Sequence, residues 1–547
     1  MLSVYFRERD RGRVLALLAA VCVVYLPFLG NPYFFDDVWL LTRPFMEWYG
    51  YVPFTFDFRW FPYASLGWTM RLFSDVFPQP FRLGNVLLHA ANVILLFHLL
   101  RLLLGAVIRE PGNSSSLVWG SWLGALLFAV HPVAVYATGY IAQRSILMAT
   151  LFALLAQWAY LRALLSGQAR WLLLAVLAFF VACFSREHSV MIPAVLAAMT
   201  VLLRRENNAS RQALWLTWFA FVMVALLVVL RAKGVFAMQV FGTAYEPMAA
   251  AMFEQQQVVT SEAGEHLLSV MTQAGLFFKY LLLWAVPNPA WMSIDMREPF
   301  VSSLSAWQGW LGIAGFVLYG LLALRLLLCG GARGLAGLAL LYPWLQFASE
   351  FASIRVQETF VLYRSYLWMP GMMLFIPLLL QRFPQRRTML ILGCVAILLV
   401  PLAWNRLWVF GDNYRLWNDA ALLLEHEHVA GADRIYYNRG QALMAERKWE
   451  EAARDFERSV AISPKLAPVR YALGVVYGNA GRYQDALEQY DAAIALKPDQ
   501  AHVYFAKGVA LKRLHRDREA QQQMELSCGL KDAVACSIVA MTVRQRK

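Results

Sequence analysis

The sequence predicts a mostly α-helical protein in two parts: a polytopic membrane domain (residues 1–410) with about eleven transmembrane helices, then an α-solenoid of about three helical repeats (residues 411–547). Apolar residues make up 59% of the 547 residues and charged residues only 16%, and the mean hydropathy is +0.48. This balance is typical of a chain with many membrane spans. From Trp417 onward, charged residues recur with helical periodicity, which indicates a water-soluble domain.

The net charge of +13 is also a clue to topology. It would fit a nucleic-acid-binding protein, but much of the arginine lies in short loops between apolar segments, which is the usual signature of membrane orientation. We therefore expect no nucleic-acid partner, and we expect membrane lipids to surround the first part of the chain.

The membrane spans can be placed from hydropathy, because each needs about 20 predominantly apolar residues. The predicted spans are 14–30, 83–104, 117–136, 145–165, 171–185, 189–203, 212–231, 306–328, 335–350, 366–380 and 388–404. A further apolar segment, 269–286, carries Lys279 in its middle, so its assignment depends on the topology.

The arginine pattern sets the predicted orientation. Four arginines lie at alternate positions in 7–13, before the first span, and no small-residue cleavage site follows it. We therefore expect an uncleaved helix with a cytoplasmic N-terminus. The later arginine-rich loops are cytoplasmic only if 269–286 does not cross. That segment is predicted to lie along or dip into the outer face, within a large outer loop, 232–305. The first outer loop is 31–81, and the repeats are extracytoplasmic.

This topology gathers polar side chains on the outer face. Adjacent carboxylates, Asp36 and Asp37, open the first outer loop, and Asn85 and His89 lie one turn apart in the second span. Ionisable groups at membrane depth are functional candidates by default. The same face is predicted to hold Arg59, His131, Arg144, Arg186, Glu187, Lys279, Arg364 and Tyr366. The alternative is that each residue only anchors a helix end at the interface.

Paired carboxylates with scattered cations suit a lipid-phosphate donor. The cations would hold the phosphate and offset the charge of the leaving group, and a carboxylate would deprotonate an acceptor hydroxyl. Nucleotide chemistry is disfavoured because the sequence has no Walker loop and no G-x-G-x-x-G motif. Asp36 and Asp37 could instead bind a divalent metal, although the sequence shows no further clustered ligands. Which aspartate is the base stays open, with Asp37 slightly preferred.

The soluble part repeats with a period of 34 residues. Glycines recur at 440, 474 and 508, alanines at 452, 486 and 520, and prolines at 464 and 498, a spacing that matches tetratricopeptide repeats. The third repeat is weaker, as expected of a capping unit. Such a concave surface usually holds a protein or peptide, and the alternative is a structural lid. Cys528 and Cys536 could form a disulfide if the domain is extracytoplasmic.

In this order, ending in repeats, the motifs resemble those of the transmembrane and tetratricopeptide-repeat O-mannosyltransferases and their bacterial relatives, which have the GT-C fold. The matching segments are Phe35-Asp36-Asp37, Arg59-Trp60-Phe61-Pro62, Asn85 with His89, His131-Pro132 with Arg144-Ser145, Ser185-Arg186-Glu187, Lys279-Tyr280-Leu281 and Arg364-Ser365-Tyr366-Leu367. Two positions depart from the family: Tyr136 stands where relatives often carry Glu, and Arg186 stands where the family has Lys.

The resemblance implies an inverting glycosyltransferase of a bacterial inner membrane. It would transfer a sugar from a polyprenyl-phosphate donor to Ser or Thr of an extracytoplasmic protein, for which a pilin is one acceptor. The resemblance makes Asp36 and Asp37 catalytic, and Arg59, Arg144, Arg186, Lys279 and Arg364 candidates for the donor phosphate. Asn85, His89, His131, Glu187 and Tyr366 would be further polar site residues. Two alternatives stay open: a GT-C transferase acting on a lipid or glycan, and a non-enzymatic membrane scaffold.

Overall fold

The computed structural model describes residues 8–41, 45–73, 77–108, 114–233, 262–427 and 429–545. The chain forms two compact units, Met1–Asp412 and Asn413–Lys547. The first unit consists of apolar helices joined by short helical turns. Its α-helices are α1 Glu8–Tyr25, α2 Asp36–Leu40, α3 Phe45–Tyr49, α4 Trp60–Phe73, α5 Gln79–Val107, α6 Ser114–Val130, α7 Val135–Thr138, α8 Arg144–Ser166, α9 Ala169–Ser185, α10 Ile192–Leu202, α11 Arg211–Ala232, α12 Glu262–Ala285, α13 Trp307–Cys329, α14 Gly331–Phe347, α15 Phe375–Arg382 and α16 Gln385–Val409.

Many of these helices are suited to a membrane, but the predicted number of about eleven spans is not confirmed. Within the described residues, seven helices are long and apolar enough to cross, or eight if one bent pair forms a single span. That pair replaces the straight span predicted over 117–136 and bends by 51°. The bend lies at Pro132, which has no N–H to continue the helical hydrogen bonds.

The segment predicted as a span over 366–380 is not one continuous helix. It comprises 3-10 turns at Leu362–Leu367 and Met369–Leu374, then the short helix α15. Pro370 interrupts the backbone donors, and Gly371 lies so close to Tyr342 that an added Cβ would be 2.2 Å from its ring. The chain around Gly371 therefore packs closely against Tyr342 and does not form a regular helix.

Three other predicted spans coincide with helices that are shorter than the roughly 20 residues a crossing needs. α9 and α14 each have 17 residues and α10 has 11. At 1.5 Å per residue a 17-residue helix is only about 26 Å long, slightly less than the hydrocarbon core of about 30 Å.

The segment 269–286, except for its last residue, lies in the continuous helix α12. Gly264–Ala285 within it is long and apolar enough to cross a membrane, so the helix itself gives no support to the prediction that it does not cross. That prediction rests on the arginine pattern alone and stays a prediction. Part of the predicted outer loop, 234–261, lies outside the described residues.

The second unit is a stack of helix pairs. After α17 (Asn413–Leu422), the pairs are α18 Ala432–Ala445 with α19 Trp449–Ile462, α20 Ala467–Asn479 with α21 Tyr483–Leu496, and α22 Ala501–Arg513 with α23 Asp517–Gly529, followed by α24 Ala533–Gln545.

In each pair, a glycine of the first helix packs against a large side chain of the second helix, 16 residues later in the sequence. A Cβ added at Gly440 would lie 3.0 Å from the Phe456 ring, at Gly474 2.6 Å from the Tyr490 ring, and at Gly508 3.0 Å from Met524. The third pair matches the repeat pattern less well in sequence, but it has the same helix–helix contact. The flexible side chain of Met524 occupies the position of the aromatic ring. Cys528 and Cys536 form a disulfide.

Candidate functional site

The acidic pair is positioned by the loop that precedes it. Arg82, near the start of α5, donates hydrogen bonds to the backbone carbonyls of Asn31, Pro32 and Gly139. The Asn31 side chain donates to the Leu407 carbonyl at 2.8 Å. The chain before Asp36 is therefore tied to α5, α16 and the turn after α7.

Two residues of the first outer loop have strained backbones. Phe35, directly before the pair, has a φ of 51°, and Arg59 has a φ of 64°. Positive φ is unfavourable for side-chain-bearing residues, and such strain clusters at functional sites. The positive φ angles at these two residues are consistent with a functional role for this loop.

The two aspartates have different surroundings. Asp36 is exposed, whereas Asp37 is fully buried. The Oδ1 atom of Asp37 accepts a hydrogen bond from the Ala142 N–H at 2.8 Å, while its Oδ2 atom has no hydrogen-bond partner among the described residues. Burial raises the pKa of Asp37 to about 7, although the Arg82 guanidinium and the Ala142 N–H act in the opposite direction. Asp37 is therefore protonated far more readily than an ordinary carboxyl.

Asp36 is held at the surface by Tyr140. The Asp36 N–H donates to the Tyr140 hydroxyl at 3.1 Å, and this hydroxyl also hydrogen-bonds the Asp36 side chain. The Tyr140 ring lies edge-on to the Tyr363 ring, with their centroids 6.3 Å apart, and the Arg186 guanidinium lies 5.8 Å from the Tyr363 ring centroid. The exposed carboxylate is thus linked through two neighbouring tyrosines to Arg186, one of the predicted cations.

A chain of alternating charges extends from Arg186. Glu187 accepts from Arg59 at 3.1 Å and lies 4.0 Å from Arg186. His188 lies 3.0 Å from Glu350, which also pairs with Arg364 at 2.9 Å. Further members complete the network: Arg355, 3.3 Å from Glu350, and Glu358, 2.8 Å from Arg364. Four arginines therefore face three glutamates in a largely buried cluster.

Within that network Arg186 has the longest contact with a carboxylate, 4.0 Å from Glu187. It is buried, its Nη1 atom donates to Ser145 at 3.3 Å, and its Nε has no hydrogen-bond partner among the described residues. Arg364, by contrast, has carboxylates at both terminal nitrogens. A buried guanidinium with spare donors is suited to an incoming anion.

Other predicted site residues are occupied by the protein itself. Arg144 donates to Asn85 at 2.9 Å and to the Phe81 carbonyl at 2.6 Å, and Asn85 donates to the Tyr140 carbonyl at 3.1 Å. These bonds link α5, α8 and the turn that carries Tyr140. Both residues position the site, and the contacts give no support to Arg144 as a phosphate ligand.

The histidines are similarly engaged. His89 donates from Nε2 to the Ala129 carbonyl at 3.0 Å and accepts from the Tyr366 hydroxyl at 2.7 Å. His131 donates to the Trp284 carbonyl at 3.1 Å and accepts from the Val133 N–H. The His89 and His131 side chains therefore each form hydrogen bonds with neighbouring segments of the membrane unit. Lys279 pairs with Glu298 and lies 5.6 Å over the Phe360 ring.

Several important residues were not predicted from sequence. These are Arg82, Tyr140, Glu350, Arg355 and Glu358. Glu350 had a usable signal, since it is an acid at the end of an apolar segment predicted to span. Arg355 and Glu358 had none, because they follow in a segment without periodicity.

The donor set does not fit a metal centre. Among the described residues, no group of three or more His, Cys, Asp or Glu side chains could hold a metal ion. Of the paired aspartates, only Asp36 is exposed, and the buried Asp37 already binds a backbone amide.

The family models that match the chain lie in the second unit. Residues 433–466 match the family model described as "Tetratricopeptide repeat", and residues 479–514 match "TPR repeat". The C-terminal unit is a tetratricopeptide-repeat domain. No curated protein matches the chain.

Solved structures give partial alignments. The Sgt2 TPR domain from Aspergillus fumigatus is 16% identical, with a TM-score of 0.20, over 21% of this chain and 78% of that chain. MamA is 24% identical, with a TM-score of 0.19, over 21% and 69%. The CopN-Scc3 complex is 14% identical, with a TM-score of 0.20, over 25% and 76%. These scores are low, so the repeat assignment rests on the family matches and the helix pairs.

Proposed function

We propose that the chain is a membrane glycosyltransferase with a GT-C-like first unit of about eleven spans. It transfers a sugar from a polyprenyl-phosphate donor to Ser or Thr of an extracytoplasmic protein. The observation that carries the proposal is an exposed carboxylate, Asp36, linked through Tyr140 and Tyr363 to a buried and incompletely bonded guanidinium, Arg186. A base beside an anion-binding cation is what this transfer requires.

In the proposed reaction the acceptor hydroxyl oxygen attacks the anomeric carbon of the donor sugar. Asp36 takes the hydroxyl proton as the new C–O bond forms. The bond from the anomeric carbon to the donor phosphate breaks, and its electron pair leaves on the phosphate oxygen. Attack opposite the leaving group inverts the anomeric centre. Arg186 offsets the charge that develops on the phosphate.

Burial reassigns the roles of the paired aspartates. A general base must come within hydrogen-bond reach of the proton that it removes, and only Asp36 is exposed. Asp36 is therefore the proposed base, in place of the slight sequence preference for Asp37. Asp37 binds the Ala142 N–H and so positions the helix that begins with the pair.

The repeats support a protein acceptor. Tetratricopeptide repeats indicate a protein-interaction role, and we propose that here they hold the polypeptide to be glycosylated. The Cys528–Cys536 disulfide favours an oxidising compartment, in keeping with a periplasmic repeat domain and a bacterial inner-membrane location.

A second candidate function is a membrane scaffold without chemistry. The repeats favour it directly, since binding a protein is what they indicate. A scaffold role does not explain the buried charge network around Glu350.

The two candidates differ in what happens to other proteins. Extracytoplasmic proteins would be compared by intact-mass spectrometry in cells that lack the gene, with and without the gene restored. The transferase proposal predicts that at least one protein gains the mass of a sugar only in restored cells, at a Ser or Thr. If all masses are the same in both, the transferase proposal is wrong. If the sugar appears only on a lipid or glycan, the acceptor assignment is wrong.

A further inference from the structure

The two helices of each repeat pair differ in charge. The first helices (α18, α20 and α22) contain six lysines and arginines and a single acid, Asp433, which is buried. The second helices (α19, α21 and α23) contain ten acids and only three arginines. Positive charge is therefore concentrated on one set of helices and negative charge on the other.

The first helices lie on the concave side of the repeat domain. Consecutive first helices contact each other, and consecutive second helices contact each other less. The Tyr471 ring of α20 packs edge-on against the His502 ring of α22, with centroids 4.7 Å apart. A stack whose first helices are closer together curves towards them, so the positive set of helices lines the inner surface.

The exposed side chains of α20 follow one face of the helix. Pro468, Tyr471, Val475 and Asn479 are exposed or half-buried, whereas most positions between them are buried. Each first helix packs against its own second helix, and α20 and α22 also pack against the second helix of the preceding pair. The exposed face that remains, called here the inner stripe, is thus the concave side.

The middle of the inner stripe is aromatic and aliphatic. Tyr437, Tyr471 and Phe505 occupy equivalent positions 34 residues apart, and all three are half-buried. One turn later, Val475 is half-buried and Val509 is 41% exposed. These rows form an apolar surface that crosses all three repeats.

A basic pair lies at the end of the inner stripe. Arg439 and Lys507 form ion pairs with acids of the second helices. Lys512 and Arg513, in the last turn of α22, are exposed, and no acid among the described residues forms an ion pair with either. Both cations are therefore available to a ligand that presents carboxylates.

We propose that the inner stripe binds an acidic segment of the acceptor polypeptide that also carries aliphatic or aromatic side chains. The apolar side chains of the segment pack against the aromatic row, Val475 and Val509, and its carboxylates lie beside Lys512 and Arg513. The acidic second helices repel the same segment, which confines it to the concave side. Only the identification of this polypeptide as the acceptor rests on the proposed function.

The test measures binding of short fluorescent peptides to the purified full-length protein by fluorescence anisotropy. One peptide alternates Asp and Glu with Leu and Phe, a second has Lys in place of every acid, and a third has Ser in place of every apolar residue. The wild type is expected to bind the first peptide more tightly than the other two, because only the first matches both the charge and the apolar row.

Charge removal at the end of the stripe should weaken this binding. The double variant Lys512→Gln, Arg513→Gln should bind the first peptide about fivefold more weakly, because two exposed ion pairs are lost. The matched control, Arg454→Gln, Arg518→Gln, removes two exposed arginines from the second helices and should bind as the wild type does. A lower melting temperature with unchanged affinity in the first double variant would overturn the proposal, since the pair would then only stabilise the end of α22.

An added acid tests the apolar part of the stripe. Val509→Glu places a carboxylate on the inner stripe and should weaken binding of the first peptide. Leu526→Glu changes a residue of α23 that is 52% exposed and should have no effect. Equal affinity for the acidic and lysine peptides, or an equal loss in either control variant, would overturn the proposal.

Failure of docking and failure of transfer give different results. Binding of the first peptide with these variant effects, in cells where no protein gains a sugar, would support the inner stripe and contradict the transferase proposal. Sugar transfer that is equal in the wild type and in Lys512→Gln, Arg513→Gln would overturn the role of the stripe in holding the acceptor and leave the transferase proposal intact.

Discussion

Adjacent carboxylates with opposite exposure are the residue-scale basis of the proposed site. Asp36 is exposed beside Tyr140, whereas Asp37 is buried with one oxygen unbonded among the described residues. Successive side chains on a helix point about 100° apart, which separates them, and Arg82 fixes the loop that presents them. One residue can then react while the other determines the local structure.

Asp37 should make the protein less stable as pH rises. Its folded pKa of about 7 exceeds the ordinary value of 3.8, so the folded state binds more protons between these pH values. Stability is thus complete below about pH 4 and falls as pH rises towards 7, by at most about 4 kcal/mol. Asp37→Asn should melt at a higher temperature than the wild type at pH 8 and at a similar temperature at pH 4. A wild type that melts higher than the variant at pH 8 would contradict this.

Arg186 should affect transfer more than folding. Arg186→Gln removes the cation proposed to face the donor phosphate, and transfer should fall roughly 10²-fold, with the melting temperature little changed. Arg186→Lys should retain much of the activity, because a positive charge remains. The control is Arg170→Gln, an exposed arginine at the start of α9. Equal activity in Arg186→Gln and the wild type would rule out this role.

At the scale of the element, the repeat helices follow from a few small residues. Gly440, Gly474 and Gly508 let paired helices approach, and each faces a large side chain on the second helix. The 34-residue spacing of these glycines is enough to predict the contact from sequence.

Gly474→Ala should destabilise the second repeat. Its Cβ would lie 2.6 Å from the Tyr490 ring, and such overpacking costs about 1–3 kcal/mol. The matched control is Gly478→Ala in the same helix, where the nearest atom is 3.7 Å away and the change should be neutral or stabilising. Hydrogen exchange of the α20 and α21 amides in the intact protein would measure both. Equal exchange in the two variants would contradict the close packing.

Sequence patterns were most informative where they were periodic. The repeats and the long apolar helices were predictable, because glycine spacing and hydropathy reflect local packing. The broken segment around Pro370 was predicted as a span because hydropathy does not report helix continuity.

Among the site residues, Asp36 was predictable from its type and place, but its separation from Asp37 depends on long-range contacts with Tyr140 and Ala142. Glu350 pairs with His188 across 162 positions of sequence, which no local pattern reveals.

At the scale of the whole molecule, the proposed reaction depends on which side of the membrane each unit faces. The arginine pattern predicts a cytoplasmic N-terminus and periplasmic repeats. The Cys528–Cys536 disulfide is consistent with that side, whereas Cys22, Cys183, Cys329 and Cys394 are free thiols.

The repeat cysteines should therefore be oxidised in cells. Protein trapped with acid and alkylated with a polyethylene-glycol maleimide should gain two further adducts after reduction. Cys528→Ser, Cys536→Ser should gain none. Full labelling of wild-type protein without reduction would contradict both the disulfide and the periplasmic placement.

The central claim is that Asp36 is the base of a sugar transfer. The most direct measurement is intact-mass spectrometry of the glycosylated acceptor from cells that carry the wild type, Asp36→Asn, Asp37→Asn or the control Glu47→Gln, a half-buried carboxylate of the same loop. With equal amounts of protein in the membrane, we predict the added sugar mass for the wild type, Glu47→Gln and Asp37→Asn, whose amide oxygen can still accept from the Ala142 N–H, and its loss in Asp36→Asn. Full transfer by Asp36→Asn would contradict the account.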